Sequence, residues 1–161
     1  MSEKKVEEKK VKEEKTPRLS YYEAVGRRKE ASARARLYVV VGEKVAVSGN
    51  ELGKGEILVN GKPVDKYFPG EVYKKMYFEP FRTTNTVNRF ATSILVDGGG
   101  LAGQVGATVH AVSRALLKVD PEKFRPILKK RGFLTRDPRA KQRRKAGFAG
   151  KARARKQSPK R

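Results

Sequence analysis

The most restrictive feature of this sequence is the separation of its charged residues from its apolar residues. Residues 129–161 contain 15 basic residues and one acidic residue, whereas residues 19–128 contain 17 basic and 11 acidic residues and nearly all of the Val, Ile, Leu, Phe and Tyr. Residues 1–18 alternate Lys and Glu, with seven basic and five acidic residues. Segments so poor in apolar residues cannot offset an ordering entropy of about 1–2 kcal/mol per residue. The sequence therefore predicts a charged disordered arm over 1–18, a globular core over 19–134 and an extended basic tail over 135–161.

The composition narrows the classes of function. A formal net charge of +22 does not stabilise an isolated globule, because like charges repel each other in the compact state. A polyanionic partner would explain this excess of positive charge. The chain has no Cys and one His, which excludes disulfides, thiolate zinc sites and cysteine nucleophiles. It also lacks an apolar run of about 18 residues and an apolar signal core, so we expect no membrane partner.

The middle of the chain predicts strands followed by helices. Between Arg34 and Val40 the two faces alternate with the period of a half-buried strand. Leu101, Val105, Val109, Val112 and Leu116 form an apolar stripe at helical spacing. This order of elements indicates an α/β or α+β core of about 110 residues. We expect strands over 21–41, 44–48, 56–60 and 87–96, a loop over 48–55, helices over 70–78, about 101–119 and 121 to near 132, and an edge strand or helix start after Pro63.

A glycine pattern, Gly98-x-Gly100-x-x-Gly103, follows a predicted strand and opens a predicted helix. A dinucleotide fingerprint occupies such a place, but its acidic residue should end a second strand, and Asp120 instead ends the same helix. One alternative is a tight turn into a closely packed helix. A third interpretation is that free N–H groups at this helix start hold an RNA phosphate.

The only histidine, His110, has no acidic or Cys residue at metal-ligand spacing. With Arg114 and Lys118 it forms a helix stripe that faces either solvent or RNA. Asp97 and Asp120 stand at element ends, where turn and capping roles are the usual ones. We therefore predict no metal, no cofactor, no small-molecule substrate and no enzymatic activity.

Two basic segments are candidates for phosphate contact. The first contains Arg27, Arg28 and Lys29 with Arg34 and Arg36, on one predicted sheet edge, and its alternative is a solvated face. The second is the tail, where Arg and Lys neutralise phosphates and Arg stacks on unpaired bases. Its last 15 residues would span roughly 50 Å if extended, at about 3.3 Å each. Nothing matches a DNA-binding motif, so RNA is favoured over DNA, although a DNA-compacting protein and a nucleotide-binding enzyme remain as alternatives.

Four blocks of the sequence are specific enough for comparison with known families. They are Tyr21–Lys29 with Ala33-Arg34; Val59–Pro63 with Tyr67-Phe68; Gly98–Ala107 with Arg114–Leu116 and Asp120; and Gly132–Arg139 with Arg143–Lys145, Lys151–Arg153, Gln157 and Lys160-Arg161. These blocks cover residues 20–161 and resemble the small-subunit ribosomal protein nine family.

The resemblance implies an α+β fold, a small and mostly antiparallel sheet packed by helices, like the second domain of ribosomal protein five of the same subunit. It implies a cytoplasmic ribosomal protein in the head of the small subunit, with ribosomal RNA and neighbouring head proteins as partners. It also implies that the tail reaches the peptidyl site, where Lys160 and Arg161 touch the anticodon stem-loop of transfer RNA. The ribosomal RNA contacts expected on this basis are Arg27, Arg28, Lys29, Arg34, Arg36, Gly99, Gly100, Gln104, Arg114, Arg136, Arg139, Arg143, Arg144, Lys145, Lys151, Arg153 and Arg155.

Three features depart from the family pattern. Ser158 and Pro159 precede the terminal Lys-Arg, and Pro159 stiffens that approach. The stretch 41–56 is longer than usual, which predicts an extra hairpin. The charged arm over 1–18 is also additional.

Overall fold

The computed structural model describes residues 20–40, 42, 44–47 and 49–143. The predicted arm over 1–18 and the tail from residue 144 onward therefore lie outside the described residues. Within the described part, the elements in chain order are β1 (Tyr21–Arg28), β2 (Ala31–Val39), β3 (Lys44–Val47), β4 (Asn50–Gly53), β5 (Ile57–Val59), β6 (Lys62–Pro63), α1 (Val64–Tyr67), α2 (Glu71–Thr83), β7 (Phe90–Asp97), α3 (Leu101–Val119) and α4 (Pro121–Lys130).

Five of these strands form one sheet in the order β1-β2-β7-β5-β6. The pairing is antiparallel except between β5 and β7, which run parallel. Helices pack on one face, where the main core contains buried side chains of β2, β5 and β7 together with Val105, Val112 and Leu116 of α3. The structure thus confirms the α+β fold class with a mostly antiparallel sheet, while the likeness to the second domain of ribosomal protein five stays a prediction.

The single strand predicted over 21–41 is wrong, because β1 and β2 form a hairpin with Arg28 opposite Ala31. Lys29 makes the turn with φ 52°, in the left-handed region. Lys-Glu carries none of the glycine or asparagine that normally marks a two-residue turn. The alternation of side chains shifts by one residue across this turn, because the paired Arg28 and Ala31 lie on the same face, but so short an interruption leaves little signal in the sequence.

The loop predicted over 48–55 is also wrong in part, since β4 occupies Asn50–Gly53 and pairs with β3. With only four residues, β4 shows too few alternations of apolar and polar side chains to be recognised among turn-forming residues. The hairpin expected within 41–56 is thus formed by β3 and β4, and that it is additional to the family stays a prediction. Val45, Val47 and Leu52 form a second core with Tyr38, Val40 and Ala91 on the face of the sheet opposite the helices.

Helix α2 is longer than predicted, because it continues through Pro80 to Thr83. A proline removes one helical hydrogen bond and costs about 3 kcal/mol in a helix interior. Here Tyr77, Pro80 and Phe81 are buried, and this burial stabilises the last turn. The strand predicted over 87–96 begins later, at Phe90, since residues 87–89 form a turn.

Helices α3 and α4 confirm the predictions for the last part of the core. Val105, Val112 and Leu116 are buried, Val109 is half-buried, and Leu101 is exposed and lies outside the core. Asp120 caps α4 by accepting a hydrogen bond from the Lys123 N–H at 3.1 Å, as its position at an element end predicted. No helix in the described part of the chain is long and apolar enough to span a bilayer.

Candidate nucleic-acid interface

The face of the sheet opposite the helices is covered at one end by the β3–β4 hairpin, and its uncovered part, called here the open face, carries the basic side chains of the β1–β2 hairpin. Alternation along the strands directs Arg27, Arg34 and Arg36 away from the helices, whereas Arg28 points toward α3 and Lys29 lies in the turn. The five residues predicted to form one cluster on a sheet edge are therefore divided between two faces and a turn.

Arg36 already has an anionic contact within the protein. Its Nε donates to Glu23 Oε2 at 2.6 Å, and its guanidinium lies 4.9 Å from the centre of the Tyr21 ring. The hydrogen bond to Glu23 raises the pKa of Arg36, although partial burial opposes this effect. The charge of Arg36 is thus partly compensated before any RNA approaches.

Arg34 differs from its neighbour because it forms no ion pair with a carboxylate among the described residues. It stands opposite Val25 of β1 and Leu95 of β7 in the sheet register. Val25 is 36% exposed and Leu95 is 47% exposed. Arg34 therefore offers an uncompensated cation on an open, partly apolar sheet face, which suits a phosphate with a nucleoside packed beside it.

The glycine turn before α3 is closely packed against the β1–β2 turn. Gly98 and Gly99 have φ values of 70° and 62°, and a Cβ on Gly98 would lie 2.6 Å from the carbonyl oxygen of Glu30. Gln104 Nε2 donates to the Gly98 carbonyl at 3.0 Å, and its Oε1 accepts from Tyr67 Oη at 3.3 Å. This geometry agrees with the tight-turn interpretation, and since Asp120 caps α4, the acidic residue of a dinucleotide site is not in place.

The start of α3 is otherwise open. Gly100, its N-cap residue, makes no side-chain cap, the first turn contains no acidic residue, and nothing lies within 4 Å of a Cβ built at this position. The first N–H groups of α3 are therefore accessible to an anion. Whether Gly99 and Gly100 contact RNA stays a prediction.

Strand β1 is an edge strand of the sheet, and the helix stripe of His110 and Arg114 lies against its unpaired backbone. His110 Nδ1 accepts from the Arg27 N–H at 3.4 Å, and Arg114 Nη1 donates to the Val25 carbonyl. Burial lowers the pKa of His110, Arg114 adds to this effect, and a hydrogen bond with the Leu134 backbone opposes it. A neutral imidazole is the form that can accept from a backbone N–H. His110 and Arg114 therefore already bond to the backbone of β1, and neither side chain is fully free to contact solvent or RNA.

The first residues of the basic tail are attached to the core. Gly132, with φ 75°, ends α4 with two backbone hydrogen bonds, from Gly132 N–H to the Lys129 carbonyl and from Phe133 N–H to the Leu128 carbonyl. These bonds form a Schellman motif, which turns Phe133 back onto the core. Phe133 and Leu134 pack there, half-buried. No helix or strand follows from Arg136 to Arg143.

Asp137 was not among the predicted site residues, yet it organises two that were. It accepts from Arg28 Nη2 at 3.3 Å and from Arg139 Nε and Nη2, each at 2.9 Å. These contacts, chiefly the hydrogen bonds from Arg139, lower the pKa of Asp137 far below its ordinary value. Its position as the only acidic residue in 129–161 was the signal in the sequence that could have identified it.

The remaining predicted contacts fall into two groups. Arg136 and Arg143 are exposed in the described tail, and seven basic residues lie between residues 129 and 143. The other predicted contacts of the tail lie outside the described residues, namely Arg144, Lys145, Lys151, Arg153, Arg155, Lys160 and Arg161.

Comparison with known proteins adds independent evidence. Residues 26–161 match the family described as "Ribosomal protein S9/S16". The chain is 46% identical over 138 residues to the small ribosomal subunit protein uS9 of Maridesulfovibrio salexigens, covering 86% of this chain and 95% of that protein. It is 44% identical over 126 residues to the protein of the same name from Anaeromyxobacter sp. strain K, covering 78% and 86%.

Proposed function

The chain belongs to the ribosomal protein S9/S16 family, and from this membership we propose that it is a structural, non-catalytic constituent of the small ribosomal subunit that binds ribosomal RNA during translation. The match over residues 26–161 carries this proposal, because it spans most of the folded core and the whole basic tail. Membership also assigns the chain to the cytoplasmic ribosome, beside other proteins of the small subunit.

The charge distribution supports a phosphate-rich host. The tail over 135–161, with 12 basic residues and one acidic residue, releases condensed counterions when it lies on a polyanion, and this release favours binding. Arginine also stacks on unpaired bases, which are common in folded ribosomal RNA. DNA compaction lacks a comparable observation in its favour.

The core offers contacts of its own to this RNA. Arg34 and Arg27 on the open sheet face and Lys29 in the hairpin turn make no ion pair with described carboxylates. Asp137 already pairs with Arg28 and Arg139, and Glu23 pairs with Arg36. We therefore assign weaker phosphate contacts to these three arginines. The further contacts that we propose are Gly99, Gly100, Gln104, Arg114, Arg136, Arg143, Arg144, Lys145, Lys151, Arg153 and Arg155.

A finer proposal concerns the end of the tail. The resemblance of its terminal Lys-Arg to the family pattern supports a place in the subunit head, with Lys160 and Arg161 at the anticodon stem-loop of peptidyl-site transfer RNA. The 18 residues from 144 to 161 can span roughly 60 Å when extended, which would allow the terminal Lys-Arg to lie well away from the core.

A short deletion tests this finer proposal. Removal of residues 158–161 is expected to leave small-subunit assembly intact on sucrose gradients and to weaken transfer RNA retention at the peptidyl site in filter binding at low Mg2+. Lys10→Gln with Lys12→Gln removes the same charge from the N-terminal arm and should leave retention unchanged. Equal retention by the deletion variant and the wild type would refute the peptidyl-site contact, and a protein that does not co-sediment with small subunits would refute the structural role.

A further inference from the structure

One ion pair joins the first strand of the core to the start of the tail. Arg28 Nη2 and Asp137 Oδ2 are 3.3 Å apart although 109 positions separate them in the chain. Their side chains are 30% and 26% exposed, so both are mostly covered. Six other ion pairs are described in the protein, and this is the one that connects the tail segment beyond Leu134 with β1.

The fold makes room for this arginine at a specific place on α3. A Cβ built on Gly106 would lie 2.7 Å from Arg28 Nη1, so the guanidinium rests on the bare helix backbone. Glycine in a helix interior is less favourable than alanine, and the space it leaves for Arg28 explains its presence. Arg28 Nε is buried, and no acceptor among the described residues bonds to it. Packing on Gly106 and the carboxylate of Asp137 therefore hold the guanidinium in place.

Asp137 connects this arginine to the next residues of the tail. Besides Arg28, its carboxylate accepts from the Arg139 backbone N–H at 3.1 Å and from the Arg139 guanidinium. A bidentate arginine–carboxylate pair fixes the relative orientation of its two groups as well as their distance. The chain direction over residues 137–139 is thereby set relative to β1.

A second attachment lies just before this pair. Phe133 and Leu134 pack against the main core, half-buried. The start of the tail is therefore attached at two places, by apolar packing at residues 133–134 and by the ion pair at Asp137. Two attachments three residues apart define a direction, whereas a single one would leave the chain free to turn about it.

We propose that Arg28 and Asp137, seated on Gly106, form an anchor that sets the direction in which the basic tail leaves the core. Asp137 is then a positioning residue for RNA binding and not an RNA ligand. The inference rests on the proposed function in one respect, namely that the tail serves to bind RNA. A tail with a fixed starting direction searches a smaller volume, which raises its effective concentration at a target on the same particle.

The anchor can be measured directly in the free protein. The chain has no cysteine, so Lys118→Cys and Gln142→Cys introduce two unique spin-label positions at exposed sites on α3 and in the tail. Asp137→Asn should broaden the distance distribution between these labels, and Asp137→Glu should largely restore it. The matched control is Glu122→Gln, which makes the same charge change at an exposed position of α4. An unchanged distribution in Asp137→Asn would overturn the anchor, whatever the RNA affinity.

The RNA affinity of the same variants separates the anchor from simple charge attraction. Both Asp137→Asn and Glu122→Gln add one positive charge, so charge alone predicts equal or tighter binding to small-subunit ribosomal RNA for both. The anchor predicts that Asp137→Asn binds about 5-fold more weakly, the upper range for a partly exposed pair. Tighter binding by Asp137→Asn would refute the positioning role. Failure of the wild type to bind this RNA would contradict the proposed function instead, and the spin-label distances would still decide the anchor.

Discussion

Gly26 of β1 lies so close to α3 that a Cβ atom built on it would be 2.9 Å from the Cα of Ala111 and would overlap the Ala107 carbonyl. Both neighbours are helix backbone, which cannot rotate away as a side chain can. This contact sets the distance between α3 and the edge strand, and so allows His110 and Arg114 to reach the β1 backbone.

Replacement of Gly26 by alanine should therefore be strongly destabilising. We expect a loss of about 3 kcal/mol in the free energy of unfolding, measured by urea denaturation, because an overpacked site forces strand and helix apart. Gly100→Ala is the matched control, since nothing lies within 4 Å of its Cβ and its φ of −112° suits any residue. Because Gly100 is the N-cap of α3, where glycine is preferred to alanine, the control should lose no more than about 1 kcal/mol, and an equal loss in both variants would argue against the close contact.

Arg34 and Arg36 give a second, paired prediction, because they share one strand face and differ in whether Glu23 neutralises them. Arg34→Ala should weaken binding to small-subunit ribosomal RNA and reduce the slope of log K against log salt by about 0.7–0.9, the value of one phosphate contact. Arg36→Ala should reduce the slope less, since Glu23 already compensates its charge.

Titrations of affinity between low and moderate salt measure both slopes. Urea denaturation of each variant controls for a change in folding. A larger slope change for Arg36→Ala than for Arg34→Ala would contradict the assignment of Arg34 as the uncompensated cation of the sheet face.

Tyr77 and Asp65 give a prediction about stability and pH. The buried Tyr77 donates its hydroxyl to Asp65 Oδ1 at 2.8 Å, and burial followed by this bond raises the pKa of Tyr77. The same bond, with Lys74, lowers the pKa of Asp65. A carboxylate with a lowered pKa stabilises the fold above its unfolded pKa, about 3.9, and this contribution is lost as the pH falls through the folded value.

Tyr77→Phe should therefore lower the free energy of unfolding by about 1 kcal/mol at pH 7, the usual value of one hydrogen bond. The difference between this variant and the wild type should shrink as the pH falls below about 4, where Asp65 of the unfolded chain takes up a proton, and it should continue to shrink through the lowered pKa of folded Asp65. Tyr73→Phe is the control, because no hydrogen bond of its hydroxyl is described. Urea denaturation from pH 7 to pH 3 measures both, and a constant difference across this range would exclude Asp65 as the acceptor that matters.

The parts of the fold that the sequence predicted are those with long local periodicity. The stripe Val105, Val112 and Leu116 identified α3, and Asp120-Pro121 marked the start of α4, because a helix of ten or more residues repeats its signal within itself. The β1–β2 turn and β4 were missed, since a turn at Lys29 and a four-residue strand leave too few residues to show a pattern. The end of α2 was missed because the burial of Tyr77 and Phe81 outweighs the helix-breaking tendency of Pro80.

The candidate site also has a part that the sequence predicted and a part that it did not. Its basic residues were visible in the sequence, but which of them are already neutralised was not. Arg36 and Glu23 are 13 positions apart and meet only through the register of a hairpin. The sequence showed His110 on a helix stripe with Arg114 and Lys118, but its contact with Arg27 spans 83 positions and depends on how α3 lies against β1.

The sequence by itself determined that a compact core carries a strongly basic extension, since charge and apolar content are properties of contiguous residues and decide locally what can be buried. Only the tertiary structure decided which cations are free and where the tail begins its path. That outcome depends on Arg28 and Asp137 meeting across 109 positions over the bare backbone of Gly106, and such a meeting is set by packing geometry that no local pattern encodes.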